Sequence, residues 1–118
     1  MKNILYVFLG GGIGSVLRYL IYLGLPSGNF PYATFMVNVS GSFLIGLFIA
    51  MYSENSLHHS TLLFLATGIC GGFTTFSTFS KESYGLIQTQ QWGLLFAYIL
   101  LSVSLSIGAT ALGFYIGK

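Results

Sequence analysis

Long apolar stretches separated by short polar breaks organise the sequence. Four such stretches occupy about residues 4–24, 32–52, 61–84 and 93–116. A helix needs roughly 20 predominantly apolar residues to cross the hydrocarbon core of a bilayer. Each stretch reaches that length, so the pattern predicts an all-α membrane protein with four transmembrane helices.

The breaks between these predicted helices are short. Pro26 and Pro31 interrupt the first break, and the second is a mostly polar segment over residues 53–60. Because the helices use most of the 118 residues, the chain is predicted to form one four-helix transmembrane domain over residues 1–118. No extramembrane domain is left for catalysis, so an enzymatic function is not expected.

Composition agrees with this interpretation. Hydrophobic residues make up 54% of the chain and charged residues only 5%, whereas soluble domains carry about 25% charged residues. So few charges could not cover the surface of a water-exposed globule, because large apolar patches drive association. The composition excludes an ordinary soluble enzyme, a disordered chain and a nucleic-acid-binding protein, which needs a basic cluster. A multi-pass location in the cell membrane is predicted.

The positive charges give no clear orientation in the bilayer. With four crossings, Lys2 and Lys118 lie on one side of the membrane, and Arg18 and Lys81 lie toward the other. The positive-inside preference needs an imbalance between the sides, and two against two is none. Two interpretations stay open: one lysine dominates insertion, or the chain inserts in both orientations and pairs with an inverted copy.

Two polar residues inside the first two predicted helices each allow two interpretations. Arg18 shares a helical face with Gly10 and Gly14, at steps of four residues. Either Arg18 extends to the interface and the glycines permit close packing, or its charge supplies positive potential near an anion path. Asn38 either bridges helices or offers an amide N–H to a passing anion, because an unpaired buried amide is costly.

A stripe of hydroxyl groups is predicted on the fourth helix. Steps of four residues separate Tyr98, Ser102, Ser106 and Thr110, and each such step turns about 40° around the helix. A single serine or threonine can satisfy its hydroxyl on the carbonyl four residues earlier. Four hydroxyl groups in this spacing indicate a polar path more strongly, although Ser104 lies on another face.

The centre of the third predicted helix is unfavourable for helix formation. Gly71 and Gly72 are followed by Thr74 and Thr75, and glycine and β-branched residues are poor helix formers. The midpoint of residues 61–84 falls at this segment, which predicts a break near the bilayer midplane. Non-helical backbone at that depth is tolerated only when it is buried in protein or lines a cavity. The alternative is a continuous helix whose glycines serve packing.

Two phenylalanines follow this weak segment. Phe76 and Phe79 are three residues apart and are therefore neighbours on one helical face. Phenylalanines in membrane helices usually face lipid or the core, but these two lie among threonines and serines. An aromatic ring has a positive edge, so a ring edge turned inward can attract an anion without a fixed charge.

Three segments carry a family resemblance. They are GGIGSVLRY at residues 11–19, ATFMVNVSGSF at residues 33–43 and GGFTTFSTF at residues 71–79. In this order they closely resemble the Fluc/CrcB family of fluoride channels, with Ala33 in a position where that family usually has glycine. The length and the helix count also fit, so the resemblance covers essentially the whole chain.

The resemblance implies a function and an assembly. It implies a fluoride-selective channel that exports fluoride passively and so lowers the cytoplasmic fluoride concentration. It also implies an antiparallel, dual-topology dimer of four-helix subunits with two narrow pores. The family includes paired-gene heterodimers in which one partner has degenerate pore residues. Because this chain keeps Arg18, Asn38, Phe76 and Phe79 together, a homodimer is favoured.

The resemblance also implies roles for individual residues. The residues that would line the fluoride path are Asn38, Phe76, Phe79, Tyr98, Ser102, Ser106 and Thr110. The backbone carbonyls of Gly71 and Thr74 would hold a structural sodium ion at the dimer centre. Arg18 matches the family arginine, with an electrostatic or structural role.

Two other functions stay open. A small multidrug-resistance-like exporter is also a short four-helix protein, but proton-coupled exchange needs an acidic residue inside the membrane. Glu54 and Glu82 are predicted to lie at or near helix ends, which argues against that function. A membrane subunit without transport activity of its own is not excluded by composition.

Overall fold

Seven helical elements make up the part of the fold that the structure describes. The computed structural model describes residues 1–25, 28 and 30–118; Pro26, Ser27 and Asn29, which belong to the predicted first break, lie outside the described residues. A π-helical segment, Leu63–Cys70, lies between the third and fourth α-helices. The α-helices are α1 (Lys2–Gly24), α2 (Tyr32–Ser53), α3 (His59–Leu62), α4 (Gly71–Phe73), α5 (Ser77–Gln88) and α6 (Trp92–Gly117).

Four spans are long and apolar enough to cross a membrane, which confirms the prediction of four transmembrane helices. They are α1, α2, residues His59–Gln88 and α6. The segment His59–Gln88, called the third span below, contains α3, the π-helical segment, α4 and α5. The Cα atoms extend over 48 Å along the longest axis, enough for a bilayer of about 40–45 Å with its headgroups. The chain is a multi-pass membrane protein.

Glycines allow α2 and α6 to pack with their backbones in contact. A Cβ atom at Gly46 would collide with the Thr110 carbonyl of α6, and one at Gly113 would collide with the Phe43 carbonyl of α2. Helices in lipid associate through such small residues, since the hydrophobic effect does not drive apolar surfaces together there. The fourth span is thereby fixed against the second.

A second glycine contact joins α1 to the third span. A Cβ atom at Gly14 would collide with the Ile69 carbonyl, and one at Gly72 would collide with the Gly11 carbonyl. The contacting stretch of the third span includes the π-helical segment, whose wider i→i+5 winding is rare and often found at functional sites. Close packing on α1 thus holds the half of the third span that precedes Thr74.

An aromatic cluster lies where α5 meets α6. Tyr98 is fully buried, with Leu86 and Leu95 beside it. The ring of Phe79 lies 4.9 Å from that of Tyr98, and the ring of Phe30 makes an edge contact with Tyr98 at 5.4 Å. This cluster anchors α5, the half of the third span that follows the non-helical residues, on the fourth span.

The third span extends beyond its predicted limits of residues 61–84. It begins at His59 and continues to Gln88, because Leu86 is apolar and packs into the core beside Tyr98. The prediction that Glu82 lies at or near a helix end is therefore wrong: Glu82 lies in the middle of α5 and is half-buried. An acidic residue is thus present inside a span.

Candidate functional site

The backbone of the third span leaves helical geometry at Thr74. Helix α4 ends at Phe73, Thr74 is extended with φ −83° and ψ 157°, and α5 begins at Ser77. The carbonyls of Gly71 and Thr74 accept no hydrogen bond from the described residues. Helix ends leave such groups without intrahelical partners, so polar backbone atoms are available at this point of the span.

The Asn38 side chain clamps this non-helical segment from α2. Its Nδ2 donates to the Thr75 carbonyl at 3.0 Å, and its Oδ1 accepts from the Thr75 N–H at 2.8 Å. Asn38 therefore bridges two helices, one of the two alternatives that the sequence left open. The Nδ2 group carries two N–H bonds, so one remains for a ligand after the bond to Thr75.

Arg18 contacts the same segment from α1. Its Nε donates to the Gly72 carbonyl at 3.1 Å, and the residue is half-buried. A guanidinium beside the last carbonyls of a helix satisfies one of them and places a positive charge at the negative end of the helix dipole. Arg18 thus stabilises the end of α4.

A groove of about 380 Å³ runs along the non-helical segment between the second, third and fourth spans. It brings together seven of the ten residues predicted for the site, from three separate spans. Those seven are Asn38, Gly71, Thr74, Phe76, Phe79, Ser102 and Ser106. Phe76 lines the groove and is 77% exposed, so a single subunit leaves the groove open on one side.

Ser102 lines the groove and has an unused hydroxyl. The residue is 6% exposed, and its Oγ has no hydrogen-bond partner among the described residues. A buried hydroxyl without a partner costs roughly 1–3 kcal/mol. Such a group is explained when a ligand uses it, so Ser102 is the strongest single indication of a ligand path.

Two residues of the predicted hydroxyl stripe do not line the groove. Tyr98 is buried and donates its hydroxyl to Glu82 Oε1 at 3.1 Å. Thr110 Oγ1 lies 3.0 Å from the Ser42 carbonyl and 3.1 Å from the Ser106 carbonyl, and donates to them. Only Ser102 and Ser106 of the stripe lie on the groove wall.

The two predicted phenylalanines lie side by side. Their ring centroids are 5.7 Å apart with the planes tilted by 42°, and Phe79 also packs on Tyr98. Both rings line the groove. They therefore place aromatic surface along the same path as the Ser102 hydroxyl.

Sequence reasoning missed two residues with specific roles. Thr75 is 9% exposed, and its Oγ1 accepts the Thr78 N–H at 3.1 Å, three residues later. That spacing is a known helix-start signal, and it could have identified Thr75. Glu82 accepts from Tyr98 across a separation of 16 residues, which no local spacing reveals.

A comparison with known families decides where the chain belongs. The profile of the family described as CrcB-like protein, Camphor Resistance (CrcB), matches residues 5–114. The chain belongs to the CrcB-like family. The match confirms the resemblance seen in the three sequence segments, and it covers all the residues of the CrcB-like site described above.

Individual relatives resemble this CrcB-like chain over its full length. The fluoride-specific ion channel FluC of Flavobacterium psychrophilum is 48% identical over 122 residues, covering 100% of this chain and 98% of the relative. FluC of Phocaeicola vulgatus is 45% identical, covering 100% of both. FluC of Desulfotalea psychrophila is 44% identical, covering 98% of this chain and 92% of the relative.

Proposed function

We propose that this chain forms a channel that passes fluoride selectively and passively across the membrane. The observation that carries the proposal is the unpartnered hydroxyl of Ser102, a residue that lines a groove together with Asn38, Phe76 and Phe79. The names of the full-length relatives, fluoride-specific ion channels, support the same function. A passive channel is not an enzyme.

The chemistry of the groove suits a small halide. Fluoride is strongly hydrated, so a path must replace its water with close donors, and several weak sites allow both entry and exit. The Ser102 hydroxyl, the remaining N–H of Asn38 and the positive edges of two phenylalanine rings are such donors. All are uncharged, so none binds the anion as an immobile ion pair.

The second wall of the groove is proposed to come from an inverted copy of this chain. The exposed ring of Phe76 and the open side of the groove need a covering surface inside the membrane, because irregular backbone is not exposed to lipid at that depth. An antiparallel homodimer would supply one and would contain two pores. The balance of Lys2 and Lys118 against Arg18 and Lys81 supports insertion in both orientations. The non-helical segment is placed near the bilayer midplane in this assembly.

The carbonyls of Gly71 and Thr74 are proposed to hold a structural sodium ion at the dimer centre. Both residues line the groove, and both carbonyls lack hydrogen bonds from the described residues. Unpaired carbonyl oxygens are ligands that suit a hard cation, as in the broken helices of transporters. The residues present therefore fit the ion, which would supply positive charge where the two subunits meet.

The remaining predicted residues are assigned supporting roles. Ser106 extends the polar wall beyond Ser102, and Tyr98 supports the path from behind by packing on the ring of Phe79. Thr110 contributes by fixing α6 on the Ser42 carbonyl of α2. Arg18 stabilises the end of α4 and contributes positive potential beside the groove.

Efflux from liposomes tests the proposed function. Vesicles containing purified protein and loaded with potassium fluoride should release fluoride once a potassium ionophore is added, with the same pH on both sides. Chloride-loaded vesicles should release their anion far more slowly. Equal rates for the two halides, or fluoride release only with a proton gradient, would contradict a passive selective channel.

A drug exporter of the small multidrug-resistance type is the second candidate, because Glu82 lies inside the third span and not at its end. Proton-coupled antiport uses such a residue. The family match and the names of the relatives disfavour this candidate. The same liposomes distinguish the two functions, since an exporter would move a cationic drug when a pH gradient is applied.

A further inference from the structure

Two side-chain oxygens determine which backbone carbonyls are free at the non-helical segment. In a continuous α-helix the Thr75 N–H would bond the Gly71 carbonyl, and the Thr78 N–H would bond the Thr74 carbonyl. Here the Thr75 N–H goes to Asn38 Oδ1 at 2.8 Å, and the Thr78 N–H goes to Thr75 Oγ1 at 3.1 Å. Each carbonyl has lost the one amide that a helix would have given it.

We propose that Asn38 and Thr75 are positioning residues for a cation at Gly71 and Thr74, because each removes the amide that would otherwise occupy one of these two carbonyls. The inference rests on the sodium site proposed above and explains how the sequence creates it. Asn38 thereby has two functions, through two different atoms. Its Oδ1 exposes the Gly71 carbonyl, while its Nδ2 faces the anion path.

The neighbouring carbonyls show that this exposure is selective. The Cys70 carbonyl accepts from both the N–H and the Oγ1 of Thr74, each at 3.0 Å. The Gly72 carbonyl accepts from Arg18. Phe73 is buried and does not line the groove. Only Gly71 and Thr74 combine a free carbonyl with a place on the groove wall.

The energetics favour a cation over empty space at these atoms. Inside a membrane, a carbonyl without a partner costs several kcal/mol, because no water is available there to bond it. The second Asn38 bond, from Nδ2 to the Thr75 carbonyl, keeps Thr75 from rotating back into a helix. The segment is therefore held open by its neighbours, and an ion bound there recovers the missing interactions.

Substitutions at Thr75 distinguish the effect of its hydroxyl group on sodium binding from the effect of its side-chain volume. Thr75→Val keeps the volume but removes Oγ1, so the Thr78 N–H is released to the Thr74 carbonyl. We expect the sodium concentration that gives half-maximal thermal stabilisation of the purified dimer to rise about tenfold or more, as when the supporting partner of a metal ligand is lost. The matched control Thr75→Ser restores the hydroxyl and should keep the wild-type value.

Replacing Asn38 tests the role of its Oδ1 atom, independently of the Thr75 hydroxyl. If Thr75→Val does not give folded protein, the Asn38 variant alone tests the inference. Asn38→Leu removes the acceptor, so sodium stabilisation should weaken as in Thr75→Val. Melting curves are recorded in sodium chloride against N-methylglucamine chloride, with folding checked by circular dichroism and gel filtration.

The outcomes distinguish this inference from the proposed channel function. Unchanged sodium dependence in Thr75→Val or in Asn38→Leu overturns the positioning role, and so does a wild-type protein that sodium does not stabilise. The titration contains no fluoride. A protein with the expected sodium behaviour but no fluoride efflux overturns the channel function alone.

Discussion

At the scale of single residues, the site is defined by hydrogen bonds from side chains to the backbone of the third span. Arg18 and Asn38 each donate to a carbonyl of the third span, across 54 and 37 residues respectively. The sequence indicated both residues, because a charge or an amide inside an apolar stretch needs a partner. The sequence could not predict their hydrogen-bond partners, because these are backbone carbonyls, which every residue type carries.

The Ser102 hydroxyl should matter for transport and contribute nothing to stability. Ser102→Ala removes a buried hydroxyl that has no partner in the described structure, so the free energy of unfolding should not fall and should rise by up to about 1–3 kcal/mol. Fluoride efflux should fall, because a donor is lost from the path. Ser104→Ala, on an exposed face of α6, is the control and should leave efflux unchanged. Normal efflux in Ser102→Ala would remove this residue from the path.

The two phenylalanines should differ in their effect on stability. Phe79→Ile loses the ring contact with Tyr98 at 4.9 Å, which is expected to cost about 1 kcal/mol. Phe76→Ile should cost less, since Phe76 is 77% exposed. Both should lower fluoride efflux through loss of the ring edges and leave the dimer intact on gel filtration.

Phe96→Ile provides the control for both phenylalanine variants. Phe96 is an exposed phenylalanine of α6 that does not line the groove. Its replacement should change neither efflux nor assembly. If both Phe76→Ile and Phe79→Ile passed fluoride at the wild-type rate, the aromatic rings would have no role in conduction.

At the scale of helices, hydrophobic length predicted the four spans well and their internal structure only in outline. Three of the spans begin and end within about two residues of the predicted limits, because an apolar run must match the bilayer. The third span differs most. Its π-helical segment, Leu63–Cys70, follows from packing against α1, and propensity does not encode such packing.

Glycine at the contact between α2 and α6 should be indispensable. Gly113→Ala places a methyl group against the Phe43 carbonyl, and backbone atoms cannot move aside as a side-chain tip can. The free energy of unfolding should fall by about 1–3 kcal/mol. The measurement is thermal or detergent denaturation of the purified protein.

Gly108→Ala is the matched control on the same helix. A Cβ atom at Gly108 meets no atom within 4 Å, and alanine favours the helix by about 1 kcal/mol. Its stability should therefore equal or exceed that of the wild type. Equal loss in the two variants would show that the contact between α2 and α6 is less close than described.

At the scale of the whole molecule, the glycine contacts define two tight pairs, α1 with the first half of the third span and α2 with α6. The Asn38 clamp and the aromatic cluster around Tyr98 join these pairs. The sequence predicted the number of spans, the family and most residues on the groove wall. It missed the position of Glu82 inside the third span, because the predicted helix ended four residues too early.

Orientation in the membrane can be measured at the C-terminus. A cysteine added after Lys118 should react with a membrane-impermeant maleimide from both faces of the membrane, because the positive charges of the two sides balance. Background labelling should be small, since Cys70 is the only native cysteine and is buried. Labelling from one face alone would exclude insertion in both orientations.

The open side of the groove has a consequence for biogenesis. A newly inserted chain leaves the free carbonyls of Gly71 and Thr74 on an open groove, where acyl chains offer no donors, and this raises its free energy relative to the covered form. Until a covering surface binds to the groove, such a chain is incompletely assembled and accessible to membrane proteases. In the proposed homodimer the covering surface is a second chain, and encounter between two chains is second order in their concentration. Mature protein in the membrane should therefore increase more steeply than the rate of synthesis at low expression.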